Sequence, residues 1–313
     1  METVIALVLF LSILTGCAGE TLTNVKSSSI TPNAAQTEEA VRYTVETETC
    51  ADTIQAEDGT ELLVYQFEVP ELEVCRADGE IVNEAETDQE EQALTAAETF
   101  NARFADWLDG SSLDVFLEAA KEELEFSRAE GLTWSPYTLE LQCEVYQNDR
   151  MVSVSGTYYS NTGGAHPNTA VLSWNFDLRE GNFFTPALLA ADSDEFLKAV
   201  EQELNVQALQ IAADADLPPE EYFWADYTDI LRDWVNYAVS FDETGMTVAF
   251  SPYELACYAA GEQVFHLPYD QILPYLSEHG KRVLGISQED CISWKDTGRE
   301  ACVFLLDIPR GTM

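Results

Sequence analysis

From Val41 onward the chain alternates polar and apolar positions. Arg42–Thr49 reads as a strand, Asp58-Gly59 as a turn, and Leu62–Val69 as a second strand that Pro70 should end. The period then changes. Ala97, Phe100, Phe104, Trp107 and Leu108 recur at spacings of three and four, which predicts a helix closed by Gly110. Leu113, Phe116, Leu117, Ala120 and Leu124 predict another, capped by Ser111 or Ser112 and ended by Gly131. Alternation returns with Leu139, Leu141, Cys143 and Val145 on one side and Glu140, Gln142 and Glu144 on the other. After an Asn148-Asp149 turn, Val152 and Val154 alternate with Ser153 and Ser155 as far as Tyr158-Tyr159. Beyond the loop Ser160–Asn168, residues Ala170, Leu172, Trp174, Phe176 and Leu178 form a third alternating strand. One apolar and one polar face per strand predicts an antiparallel sheet with helices over one side.

The second half opens with helices. Phe196, Val200, Leu204 and Ile211 share one stripe. Phe223, Tyr227, Ile230, Leu231 and Trp234 share another, introduced by Pro218-Pro219. Val239–Asp242, the turn Glu243-Thr244-Gly245 and Met246–Ser251 predict a hairpin. Gln263–Leu267 predicts a further strand, and Tyr269–Leu276 a closing helix. The expected fold class is α+β: antiparallel β-sheets packed by helices in two interlocked subdomains, 41–180 and 181–285.

The N-terminal segment has a different character. Residues 3–15 are almost continuously apolar and run into Leu14-Thr15-Gly16-Cys17, the pattern of a bacterial lipobox. The run is shorter than the roughly 20 residues that a membrane-spanning helix needs, so 1–16 reads as a lipoprotein signal peptide. Its n-region departs from the usual pattern, with Glu2 in place of Lys or Arg. Cys17 is the expected lipidation site and membrane attachment. It would place the protein at the outer face of the bacterial cytoplasmic membrane. Residues 17–40 are rich in Ser, Thr, Asn, Ala and Glu and read as a flexible tether. Residues 286–313 read as an appended β-hairpin tail.

Charge narrows the partners. With 15 Lys+Arg against 57 Asp+Glu the formal net charge is −42. Cleavage of the leader would remove only Glu2 from that count. Nucleic acid is excluded as a partner, because phosphate contacts need clustered Lys and Arg. Cations and basic proteins would be drawn in at long range, less so in salt. An adaptation for solubility accounts for the charge equally well. Six of the seven cysteines remain after Cys17, and an even count in an exported chain predicts disulfides. Cys291 and Cys302 flank an Asp296-Thr297-Gly298 turn and are the first candidate pair; Cys50 with Cys75 is the second. No C-x-x-C occurs and His166, His266 and His279 are scattered, so neither a metal nor another cofactor is expected.

Catalytic signatures are missing. The sequence contains no G-x-S-x-G, S-x-x-K, H-E-x-x-H or Walker loop. Two stretches carry candidate chemistry. In Tyr158–Pro167 the paired glycines Gly163 and Gly164 permit a tight turn with exposed amides, and His166 can meet a ligand beside Tyr158. The alternative is a rigid connection with His166 bonded to a nearby backbone carbonyl. In Phe250–Gly261 the residues Tyr253 and Tyr258 can form an aromatic binding surface, or else pack on the sheet.

Gly163-Gly164-Ala165-His166-Pro167, the strand to Asp177, the stretch from Gly245 through Phe250-x-Pro252-Tyr253 to Ala259-x-Gly261, and Leu267-Pro268-Tyr269 together resemble a known domain pair. It is the pair of extracellular domains found in the anti-sigma factor RsiV and the peptidoglycan deacetylase PdaC. The resemblance covers about 41–285. It implies an α+β fold at the cell surface and, from the RsiV member, a receptor that grips lysozyme. The chain departs from those proteins in showing no sigma-binding region, no transmembrane helix and no deacetylase domain. The expected function is therefore a non-enzymatic binding module for a basic protein such as lysozyme or for cell-wall peptidoglycan. A cell-wall hydrolase or deacetylase with His166 and neighbouring carboxylates as its acid–base pair, and a structural subunit of an envelope complex, are the alternatives.

Overall fold

The computed structural model describes residues 41–110 and 113–286. The leader, Cys17, the tether, Ser111, Ser112 and the Cys291–Cys302 hairpin lie outside them. The fold is α+β. Strands β1 (Arg42–Gln55) and β2 (Glu61–Cys75) form a long antiparallel hairpin. Helices α1 (Asp88–Ala102), α2 (Ala105–Leu108) and α3 (Asp114–Glu130) follow. Then come β3 (Tyr137–Gln147), β4 (Met151–Asn161), β5 (Asn168–Asp177) and the short β6 (Asn182–Phe183). All six strands join one sheet in the order β1-β2-β3-β4-β5-β6.

One pair departs from the antiparallel expectation. β2 and β3 run parallel, with Leu63 opposite Tyr137 and Phe67 opposite Leu141. The three helices between them return the chain to the end where β2 began, which is what a parallel neighbour requires. Pro70 does not end β2. The Leu72 amide and carbonyl bond the Asn101 side chain rather than a strand. Pro70, two residues earlier, turns its nitrogen to that same unladdered side, beyond the last β3 pair, so no ladder bond is lost.

The first predicted helix is broken in two. Thr87 and Glu90 form a capping box at the start of α1, and the helix stops at Ala102. The Arg103 and Phe104 amides there bond the Phe100 and Asn101 carbonyls three residues back. The tightened turn lets Phe100 and Phe104 both bury completely, on Phe176 and Trp174 respectively. α3 starts from Leu113 with no side-chain cap, and ends at Gly131 in the left-handed conformation.

In the second half, α4 (Ser193–Asp214) buries Phe196, Val200, Leu204, Ala208 and Ala212. The expected helix around Phe223 is instead the short turns α5 (Pro219–Tyr222) and α6 (Tyr227–Arg232), with Phe223 extended between them. Strands β7 (Ala238–Phe241), β8 (Gly245–Phe250) and β9 (Gln263–Pro268) form an antiparallel three-stranded sheet. Gly245 sits so close to β9 that a Cβ there would collide with the Leu267 carbonyl. The described residues finish with α7 (Tyr269–Ile272), a 3-10 turn at Leu273–Tyr275, and α8 (Glu278–Val283).

The two sheets meet at a polar seam. Asn175 donates to the Val239 carbonyl (2.7 Å), Val239 donates to Ser173 Oγ (2.7 Å), and Phe241 donates to Ser153 Oγ (2.8 Å). Ser153 in turn donates to Asn175 Oδ1 (2.8 Å). The edge of β7 is thus satisfied by side chains from β4 and β5 instead of by another strand. Ser153 and Asn175 are 1% and 5% exposed, so part of the polar face expected to meet water is sealed.

The cysteine expectation fails for one pair. Cys50 and Cys75 are free thiols. Cys50 lies opposite Phe67, eight positions along β2 from Cys75, about 26 Å at ~3.3 Å per residue. A disulfide needs Cα atoms within about 7 Å.

Candidate functional site

The β4–β5 loop turns through Gly163 and Gly164, with φ of +85° and +93°. Both lie in the region that favours glycine. A side chain at Gly163 would also press on the Glu123 carboxylate of α3, at 3.0 Å. That carboxylate accepts from the Tyr137 hydroxyl (2.5 Å). Burial first, and Glu123 second, raise the Tyr137 pKa. The loop is therefore seated against a fixed group and carries His166 at its far end.

The β8–β9 connection is pinned at several points. Ser251 Oγ accepts from the Val171 amide of β5 (3.1 Å). The Ser251 amide donates to the Glu254 carboxylate (2.5 Å), and Ala256 bridges to Phe223. Desolvation of that carboxyl raises the Glu254 pKa against the lowering effect of Ser251. Tyr253 adopts φ +75°, a left-handed conformation unusual for an aromatic residue. Trp224 Nε1–H donates to the Tyr253 carbonyl (2.9 Å) and holds it there. Tyr253 remains 50% exposed, with Trp224 38% exposed beside it.

The loop and the connection meet. His166 Nε2 is 3.0 Å from the Tyr253 hydroxyl, and its ring stacks on Tyr258 at 3.9 Å and 18°. The Tyr253 and Tyr258 rings are 5.6 Å apart. His166 Nδ1 lies 2.9 Å from the Pro167 carbonyl, which can only accept. In a neutral ring the proton is then on Nδ1, and the Tyr253 hydroxyl donates to Nε2. Tyr253 is held at both ends, its carbonyl by Trp224 and its hydroxyl by His166. His166 thus has the nearby carbonyl of one expectation and the tyrosine neighbours of the other. Among the described residues neither of its ring nitrogens is bonded to a carboxylate.

Tyr158 is not part of this group. It packs on Trp107 at 5.4 Å in the first core, where burial pushes its pKa up to about 12. Trp224 and Glu254 join the site without having been singled out by sequence. Trp224 lies three residues before Tyr227 and seven before Leu231, on the same helical stripe, so periodicity gave no signal that sets it apart. Two shallow hollows lie elsewhere. One, of about 370 Å³, is beside Asp88, Glu91 and Arg179, and the other, of about 330 Å³, is on the β1–β2–β3 surface. Among the described residues no group of three or more His, Cys, Asp or Glu is placed to hold a metal, and no helix is long and apolar enough to cross a membrane.

Two family models match separate stretches of the chain. Residues 87–169 match the family model described as Deacetylase PdaC. Residues 182–270 match the model described as Protein of unknown function (DUF3298). His166 lies in the first match, and Tyr253 and Tyr258 in the second. A crystal structure of a DUF3298 family member from Bacteroides fragilis NCTC 9343 superposes with a TM-score of 0.54 at 12% identity, covering 79% of this chain and 98% of that one. A DUF3298 family protein from Pseudomonas aeruginosa PAO1 gives a TM-score of 0.41 at 14% identity, over 78% and 97%. No functionally curated protein matches the chain. The domains are thus related to the PdaC and DUF3298 families, as the resemblance in their motifs implied.

Proposed function

We propose that this protein is a non-enzymatic binding module of the cell surface whose contact point is the His166–Tyr253–Tyr258 cluster with Trp224, and whose partner is a basic protein such as lysozyme. The observation that carries this reading is the presentation of Tyr253. A left-handed non-glycine residue costs about 1–3 kcal/mol and persists only where its surroundings enforce it. Here Trp224 and His166 enforce it, and the result is a half-exposed ring. A ring already locked in place loses little freedom on binding, and Tyr and Trp are the residue types that dominate interface energetics. Exposed aromatic faces also attract Lys and Arg.

The charge of −42 supports a cationic partner by speeding encounter, an effect that salt weakens. Anchoring through a lipid on Cys17, on the outer face of the cytoplasmic membrane, belongs to the same proposal. Labelling with a palmitate analogue, lost in Cys17→Ala, tests that part. The main test is lysozyme binding at low and moderate salt. Binding should weaken with salt and fall at least tenfold in Tyr253→Ala. Folded wild-type protein that fails to bind at low salt overturns the lysozyme reading. The flat His166–Tyr258 stack favours one second reading, in which peptidoglycan sugar rings lie on the aromatic surface. Salt-insensitive retention on purified peptidoglycan would mark it.

A further inference from the structure

The polar face of the six-stranded sheet has two fates. Near Ser153, Ser173 and Asn175 it is sealed by β7. Around Ala51, Gln66 and Glu140, toward the hairpin end of β1, it is exposed. Register places Ala51, Gln66, Glu140 and Tyr159 side by side across β1, β2, β3 and β4 on that open face. Glu144, four residues further along β3, shares it. The opposite positions of the same strands, Leu139, Leu141 and Val154, are buried against the helices. The face is hollowed rather than flat: the depression of about 330 Å³ is lined by Ala51, Thr53, Gln66, Thr138 and Glu140 among others. None of the outward positions of β1 to β5 on this side is Lys or Arg.

We propose that this open sheet face is a docking surface for the cationic segment of a basic protein, extending from the aromatic cluster across β4 toward β1. The proposal rests on the basic-partner reading above and adds where the charge is read. Continuity supports it: the Ser251 hydroxyl that begins the Tyr253 connection bonds the Val171 amide in β5, the next strand of the same sheet. The occupant is argued from charge. Glu68, Glu140 and Glu144 project from strands whose spacing is about 4.8 Å, and no Lys or Arg of the described strands shares that face. A Lys- or Arg-bearing strand or loop laid across the hollow would place its charges among these carboxylates, with Thr and Gln side chains ready to bond its backbone.

The test compares two double charge reversals that change net charge equally. Glu140→Lys with Glu144→Lys alters the open face. Glu122→Lys with Glu125→Lys alters exposed positions of α3 on the other side of the sheet. The probe is a decalysine peptide at low salt, with lysozyme measured in parallel. The sheet pair should lose at least tenfold in decalysine affinity and the α3 pair less than threefold. Equal losses would show attraction to bulk charge alone and overturn the docking face. Unchanged affinity in the sheet pair, or no binding of decalysine to wild type, would overturn it as well. Failure of the basic-partner reading is recognised separately, by wild-type protein that ignores lysozyme whatever decalysine does.

Discussion

Ser153 and Thr157 lie four residues apart on the same face of β4. Ser153 is 1% exposed, accepts from Phe241 and donates to Asn175, while Thr157 is exposed. The two ends of one polar face thus do opposite work. One end replaces water with the edge of a second sheet and turns hydroxyl and amide side chains into the partners of β7. The other keeps its carboxylates and hydroxyls available. Polar residues on a strand mark the side that does not pack on the helices, and tertiary contact alone decides whether that side is an interface or a surface.

The largest expected effect is at the sealed end. Asn175→Ala would leave the buried Val239 carbonyl and the Ser153 hydroxyl short of a partner, and should destabilise the protein by about 2–4 kcal/mol in a urea titration. A loss below 1 kcal/mol would mean that water fills the seam. Gly245→Ala attacks the hairpin that supplies the cover and should cost about 1–3 kcal/mol by forcing β8 away from Leu267. Tyr253→Gly separates stability from binding at the border of the two ends. It removes the left-handed strain, so stability should rise by up to about 1 kcal/mol while lysozyme affinity falls. Loss of stability there would mean that the ring is mainly a packing element. At the open end Thr157→Ala should shift stability by less than about 0.5 kcal/mol.

The smallest effect is pH-dependent. Desolvation raises the Glu254 pKa in the folded state. The folded protein then holds this proton more tightly than the unfolded chain. The resulting contribution is full below the unfolded value and is lost as pH rises through the folded one. The stability of Glu254→Gln relative to wild type should therefore improve from pH 4 to pH 7. An unchanged difference between the two would show that the carboxyl is well hydrated.

Much of this was legible in the chain. The alternation of Leu139–Val145 and of Val152–Ser155 assigned the helix-packed face of β3 and β4 correctly, because side chains in a strand point to opposite sides by geometry. Gly131 and the Glu243-Thr244-Gly245 turn ended their elements as expected, because backbone conformation there is a local matter. The motifs around Gly163–Pro167 and Phe250–Gly261 pointed to related domains, and those relatives match. Errors arose where a distant group supplied what local rules assumed was missing. Pro70 remains in its strand because Asn101, not a neighbouring strand, serves that side of β2. Cys50 and Cys75 belong to the same hairpin yet stand eight residues apart along it.

The site shows the same boundary. Composition and pattern alone determined the α+β class, the strand faces, the acidic charge and the separate interest of His166, Tyr253 and Tyr258. Sequence could not pair His166 with tyrosines that lie 87 and more positions away, nor show that Trp224 holds Tyr253 in a left-handed turn. Those contacts exist because the three-stranded sheet docks on β4 and β5 through Ser153, Ser173 and Asn175, and that docking carries the Tyr253 connection to the β4–β5 loop. Local periodicity reports which way a side chain points. What it points at is set by long-range packing, which no single stretch of the chain encodes.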